Sequence, residues 1–261
     1  MKNPLSRSKD KPVEPEGEMS LLAHLTELRT RLMWSVGAIV VGAIIVFIFN
    51  NTIFELLQEP YCDAQTAQGK ECEFLVRSPT EGFSVVITLS GYGGLLLSLP
   101  FVLYQMGKFV LPGLYPSERR ALMPFFFASV ILLLIGLVGG YLLMPKALEV
   151  LASFGPDTFT ELFSPTEYLG FFIKMMLAFG VAAEFPLVLV FLQMVGAIQT
   201  RTLRKNRRIA MVAVVILAAV ITPTGDPFML GVLSVPMYLS YEVAILIGAR
   251  ITKRRDVLVT G

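Results

Sequence analysis

Read from its amino terminus, the chain is polar for 18 residues, rich in Pro, Glu, Lys and Ser, and then turns apolar in long blocks. A segment with so little to bury stays unfolded, so residues 1–18 are expected to form a disordered tail. Leu32 to Phe54, Gly82 to Gly107 and Ala121 to Pro145 carry no charge. Each exceeds the roughly 20 apolar residues that a helix needs to cross about 30 Å of hydrocarbon. A fourth block, Thr166 to Val195, holds Lys174 and Glu184 inside an apolar pattern and counts as a crossing by its length and flanks. Ile209 to Ile221 and Phe228 to Ala249 follow, joined by Thr222-Pro223-Thr224-Gly225-Asp226-Pro227, a run of turn formers.

The expectation is an all-α integral membrane protein with six transmembrane helices over about residues 30–54, 82–110, 121–145, 166–195, 208–222 and 227–249. They make one membrane domain of residues 19–250, with residues 251–261 as a second tail. The fifth helix is short. Thirteen residues from Ile209 to Ile221 reach about 20 Å, so either this hairpin stops below the far surface or the bilayer thins beside it.

Composition agrees, with 54% hydrophobic residues, 16% charged residues and a mean hydropathy of +0.67, which leaves too little polar surface for a soluble domain. Charge adds direction. Of the 22 Lys and Arg residues, 18 lie in the two tails and in the segments around Lys108 to Arg120 and Arg201 to Arg208. These alternate with basic-poor segments, so the positive-inside rule places both termini in the cytoplasm. No signal-peptide h-region precedes the first block. Cys62 and Cys72 share the first outer loop with nine residues between them, which suits a disulfide in an oxidising compartment; two free thiols are the alternative.

Catalytic chemistry finds no support. The one histidine, His24, precedes the first crossing, no paired intramembrane Asp or Ser-His arrangement occurs, and neither a metal-ligand cluster nor a phosphate loop is present. No catalytic residue, metal, cofactor or nucleic acid is expected. Gly136 and Gly140 form a G-x-x-x-G pair, and Gly91, Gly93 and Gly94 cluster in the second crossing; they suit close helix packing, within the bundle or between copies.

A few polar residues carry alternatives. Glu27 precedes the first crossing, four residues before Arg31, and reads either as half of an ordinary helical ion pair or as a carboxylate for a cationic partner. Glu118, between Ser117 and Arg119-Arg120, suits a helix N-terminus by capping and dipole, or the same recognition. Glu184 lies deep in the fourth crossing beside Pro186, where an ionised carboxylate costs roughly 2.5–3.5 kcal/mol, and should face protein or water. Glu242 is placed by depth either within the membrane or at its cytosolic face, Asp226 reads as a turn residue, Pro60 as a loop terminus and Pro100 as a helix kink.

Together these residues resemble the TatC family, the six-span subunit of the twin-arginine protein translocase. The likeness runs from Leu21 to Arg250. It rests on His24-Leu25-Thr26-Glu27-Leu28-Arg29-Thr30-Arg31-Leu32, Leu103-Tyr104-Gln105 through Phe109 and Pro112 to Glu118-Arg119-Arg120, Phe179-Gly180-Val181 with Glu184-Phe185-Pro186, Thr222-Pro223 with Asp226, and Pro236-Met237-Tyr238 with Glu242. The resemblance implies a glove-like concave bundle in the plasma (inner) membrane. It implies a signal-peptide receptor for folded cargo, driven by the proton motive force, multimeric, and assembled with single-span TatA-type and TatB-type partners. Glu27, Arg29, Phe109 and Glu118 match signal-peptide positions, Glu184 the intramembrane glutamate, and Thr222, Asp226 and Glu242 partner docking; Pro60 matches a functionally sensitive position. Met229 and Leu230 stand where some members carry a glutamine. Two other readings compete: a proton-coupled small-solute transporter with Glu184 and Glu242 as carriers, which the lack of a visible inverted repeat weakens, and a structural scaffold.

Overall fold

The structure, a computed structural model, describes residues 21–67, 69–110, 122–154, 163–194, 196–222 and 226–260. Eight helices make up the described chain: α1 (Leu21–Ile48), α2 (Asn50–Ala67), α3 (Glu81–Val110), α4 (Leu122–Ala152), α5 (Pro165–Met194), α6 (Thr200–Lys205), α7 (Arg207–Ile221) and α8 (Pro227–Thr260). Among the described residues there is no strand. Helices α1, α3, α4, α5 and α8 are long and apolar enough to cross a membrane. Helix α7, at 15 residues, reaches only about 22 Å. The tail of residues 1–18 and Glu118 lie outside the described residues.

Three boundaries differ from the sequence reading. The first outer segment is helical, because only Phe49 separates α1 from α2 and bonds run through the break, Phe49 N to Ile45 O and Ile53 N to Phe49 O, both at 3.1 Å. Helix α4 passes Pro145 and ends at Ala152, and α8 continues to Thr260 through the segment read as a tail. A proline removes one donor without ending a helix whose neighbours are packed.

The long helices form an open row: α1 packs on α3, α3 on α5, α5 on α4 and α8, and α8 on α7. The ends of the row, α1 and α7, share no substantial packing, in keeping with a concave bundle. Apolar side chains cannot drive helix association in lipid, so the seams rest on close backbone approach. A Cβ on Gly94 would lie 2.4 Å from the Ala43 nitrogen and one on Gly42 2.7 Å from the Gly94 oxygen, so α1 and α3 meet backbone to backbone. A Cβ on Gly136 would lie 2.5 Å from the Phe179 oxygen, and one on Gly140 3.0 Å from the Met176 Cα. The G-x-x-x-G pair therefore serves α4–α5 packing within the chain, whereas Gly91 has open space around it.

Beyond α1, α2 folds over one end of the bundle. Cys62 and Cys72 are bonded, closing the loop between α2 and the following extended segment. Tyr61, buried, stacks on Phe74 at 4.5 Å and donates its hydroxyl to the Glu73 carbonyl at 2.8 Å. Tyr168 donates to the Leu57 carbonyl at 2.7 Å and Leu75 N to the Phe163 carbonyl at 3.1 Å. Pro60 is buried inside α2 and is not a loop terminus. Pro100 likewise lies inside α3.

Candidate functional site

The α1–α3 seam sets what meets at the opposite, basic end. The two helices are antiparallel and touch at Gly42 and Gly94. Eleven residues from that point along each helix, about 16 Å, lie Arg31 and Gln105; fifteen residues along, about 22 Å, lie Glu27 and Phe109. The register is realised in the side chains. Arg31 Nη1 donates to Gln105 Oε1 at 3.3 Å, and Arg31 Nη2 donates to Glu27 Oε1 at 3.1 Å. His24 stacks on Phe109 with ring centroids 4.4 Å apart, and the Lys108 ammonium lies 4.4 Å from the Tyr104 ring centroid.

Two features of this cluster stand out chemically. Glu27 Oε2 accepts no hydrogen bond among the described residues, although an ionised carboxylate offers about four acceptor sites. Arg31 Nε is buried without a partner, a shortfall of about 1–3 kcal/mol that leaves the guanidinium incompletely held. Glu27, paired with Arg31, and Phe109, stacked on His24, thus lie at the same end of the α1–α3 seam, Arg29 is exposed on α1, and Glu118 falls outside the described residues.

Glu184 sits apart, on α5 against α4. Ser129 Oγ donates to Glu184 Oε2 at 2.8 Å, while Glu184 Oε1 is buried with no partner. Lys174 is exposed on the same helix and does not reach it. A half-satisfied carboxylate inside a membrane helix marks a place where a further polar group or water belongs.

The three expected docking residues divide between the ends of the α7–α8 hairpin. Thr222 caps the C-terminus of α7, its amide donating to the Ala218 carbonyl at 2.8 Å. Asp226 caps α8 by accepting from the Met229 amide at 2.8 Å, so it is more than a turn residue. Glu242, sixteen residues and about 24 Å further along α8, pairs with Arg207 at 2.7 Å and accepts from Tyr238 at 3.4 Å. It lies toward the basic end of the bundle, beside Arg207. Met229 is buried in the core and Leu230 packs beside α7 residues.

Sequence reasoning did not single out Gln105, Ser129 or Arg207 as partners. Ser129 had one signal, the single serine in an uncharged block; the others depend on register between helices, which no local pattern encodes. Among the described residues no group of three His, Cys, Asp or Glu could hold a metal.

Residues 23–236 match the family described as Sec-independent protein translocase protein (TatC). The chain is similar to proteins of that name from Deinococcus radiodurans, 35% identical over 91% of this chain and 88% of the relative, and from Magnetococcus marinus, 36% identical over 93% and 89%. It is also similar to a solved structure described as the twin arginine translocase receptor TatC, with TM-score 0.74, 34% identity, and coverage of 88% of this chain and 99% of that one.

Proposed function

The chain belongs to the TatC family of Sec-independent protein translocase proteins, and on that premise we propose that it is the receptor for twin-arginine signal peptides and the core subunit of a translocase that exports folded proteins. It works by binding and assembly, without a catalytic step, and draws on the proton motive force. The basic end faces the cytoplasm of a plasma membrane, with both termini on that side, and the disulfide end faces the oxidising exterior.

The observation that supports the receptor reading most is that, among the described residues, nothing bonds Glu27 Oε2. A carboxylate whose first oxygen is taken by Arg31 and whose second oxygen no described residue bonds sits at a basic end that repels cations in general and rewards a cation that can form good hydrogen bonds to it. A guanidinium does so with a planar fork, a lysine ammonium does not. Glu118 supplies the second carboxylate for an arginine pair. Single-span TatA-type and TatB-type partners dock along the α7–α8 hairpin, at Thr222, Asp226 and Glu242, with Glu184 facing a hydrated groove.

A solute transporter would need Glu184 and Glu242 as connected proton carriers, yet Glu242 is engaged by Arg207 at the basic end. Family membership does not favour that reading either. The test is export of a folded reporter bearing an Arg-Arg signal in cells lacking their own TatC. Expression of this chain with its partner subunits restores export, and uptake of a small solute by the purified chain alone would overturn the reading.

A further inference from the structure

The partner that Glu27 already has, Arg31, is itself an arginine. It reaches Glu27 through a single nitrogen, Nη2, to a single oxygen, Oε1, although a guanidinium and a carboxylate can form two parallel bonds. The other terminal nitrogen, Nη1, is held by Gln105, which is buried on α3 at 6% exposure, and Nε faces no acceptor. Gln105 thus holds Nη1, the nitrogen that an end-on fork with Nη2 would present to the second Glu27 oxygen.

We propose that Arg31 is a built-in stand-in for the arginine of the signal peptide, occupying half of Glu27 at rest, and that Gln105 sets how firmly it does so. The inference rests on the reading that Glu27 receives a signal-peptide arginine. An incoming cation first meets Oε2, which no described residue bonds, and must then displace Arg31 from Oε1. A second guanidinium can exchange into both positions with its fork, because it makes two bonds where Arg31 makes one. An ammonium is a point charge without that fork and leaves Arg31 in place. Discrimination of arginine from lysine then arises from competition inside the receptor as well as from direct contact. Arg31 and Gln105 are positioning residues. They act through Glu27 and contact no reacting group.

The roles have opposite signs, which a merely structural role would not give. Removing the competitor in Arg31→Gln raises affinity for an Arg-Arg signal peptide roughly two- to fivefold, the value of a partly exposed ion pair, and raises affinity for its Lys-Lys counterpart by more. Removing the tether in Gln105→Ala changes no charge, yet it frees Arg31 to close on both Glu27 oxygens and lowers affinity. The double variant behaves like Arg31→Gln, since without the competitor the tether has nothing to hold.

The measurement is binding of fluorescent Arg-Arg and Lys-Lys signal peptides to the full-length protein in nanodiscs, for these variants and for Glu27→Gln. Arg31→Gln that lowers or does not change affinity overturns the inference, as does Gln105→Ala that leaves it unchanged. If Glu27→Gln weakens binding while Arg31→Gln fails to strengthen it, the stand-in falls and the receptor reading stands. If Glu27→Gln has no effect, both fall.

Discussion

Tyr141 donates its hydroxyl to the Leu56 carbonyl at 3.0 Å. That oxygen lies four residues before Pro60, so it is the one that the proline deprives of its helical donor. Helix α4 thereby repairs a defect in α2, and the repair fixes the extramembrane helix on the bundle. The same hydroxyl lies 3.3 Å from Glu59 Oε2, which adds a second acceptor at the same point.

This relationship predicts a coupling. Tyr141→Phe lowers stability by about 1 kcal/mol by leaving the Leu56 carbonyl without a donor. In a Pro60→Ala background the new amide supplies the bond, and the same change costs little. Thermal unfolding of the four proteins in detergent reads the cycle, and equal losses in both backgrounds would contradict it.

The Cys62–Cys72 bond holds the segment that carries Glu73, Phe74 and Leu75 against Tyr61 and Phe163. Closing so short a loop is worth roughly 2–3 kcal/mol. Replacing both cysteines with serine should lower the unfolding temperature by about 5–10 °C, and reductant should do the same to the parent but not to the variant. An unchanged midpoint would show that the cap is held by its aromatic contacts alone.

The helix seams separate three glycines. Gly94→Ala places a methyl group against the Ala43 backbone and should cost about 1–3 kcal/mol, as should Gly136→Ala against Phe179, because backbone cannot move aside as a side chain can. Gly91→Ala meets open space and should be neutral or slightly stabilising. Gly94→Ala should also weaken signal-peptide binding, since that seam sets the register of Glu27 and Phe109. Equal tolerance at positions 91 and 94 by thermal unfolding would refute the close approach.

What was legible in the sequence followed from periodic and local signals. The apolar blocks gave the crossings, the short block before the Thr222–Pro227 turn became α7, and the glycine pair marked a seam. The register Gly42/Gly94, Arg31/Gln105 was not legible, because it depends on where two antiparallel helices touch. Prolines misled in one consistent way: Pro60 and Pro145 were read as ends because the sequence does not reveal how the surrounding helix is held, here by Tyr141 in the case of Pro60. Glu242 was ambiguous for a similar reason, its depth being decided by Arg207 on a neighbouring helix.

The hydrated-groove proposal for Glu184 has a direct probe. The chain has no free cysteine, so Glu184→Cys introduces a single reactive thiol. Glu184 Oε1 is buried without a protein partner, and the groove proposal predicts that a small aqueous thiol reagent labels this variant in native membranes. Resistance to labelling in both resting and assembled states would contradict a groove open to water.

In the receptor proposal, carboxylates at the basic end recognise the arginine pair. Photo-crosslinking of a twin-arginine signal peptide to the protein in native membranes, compared for the parent, Glu27→Ala, Glu118→Ala and the double variant, tests it most directly. Loss of a charge-assisted hydrogen bond worth about 1.5–3 kcal/mol predicts a fall of roughly 10- to 100-fold for Glu27→Ala. The double variant should bind no better than a Lys-Lys peptide binds the parent. Crosslinking that persists at the parental level in all three variants would show that these carboxylates do not recognise the arginine pair.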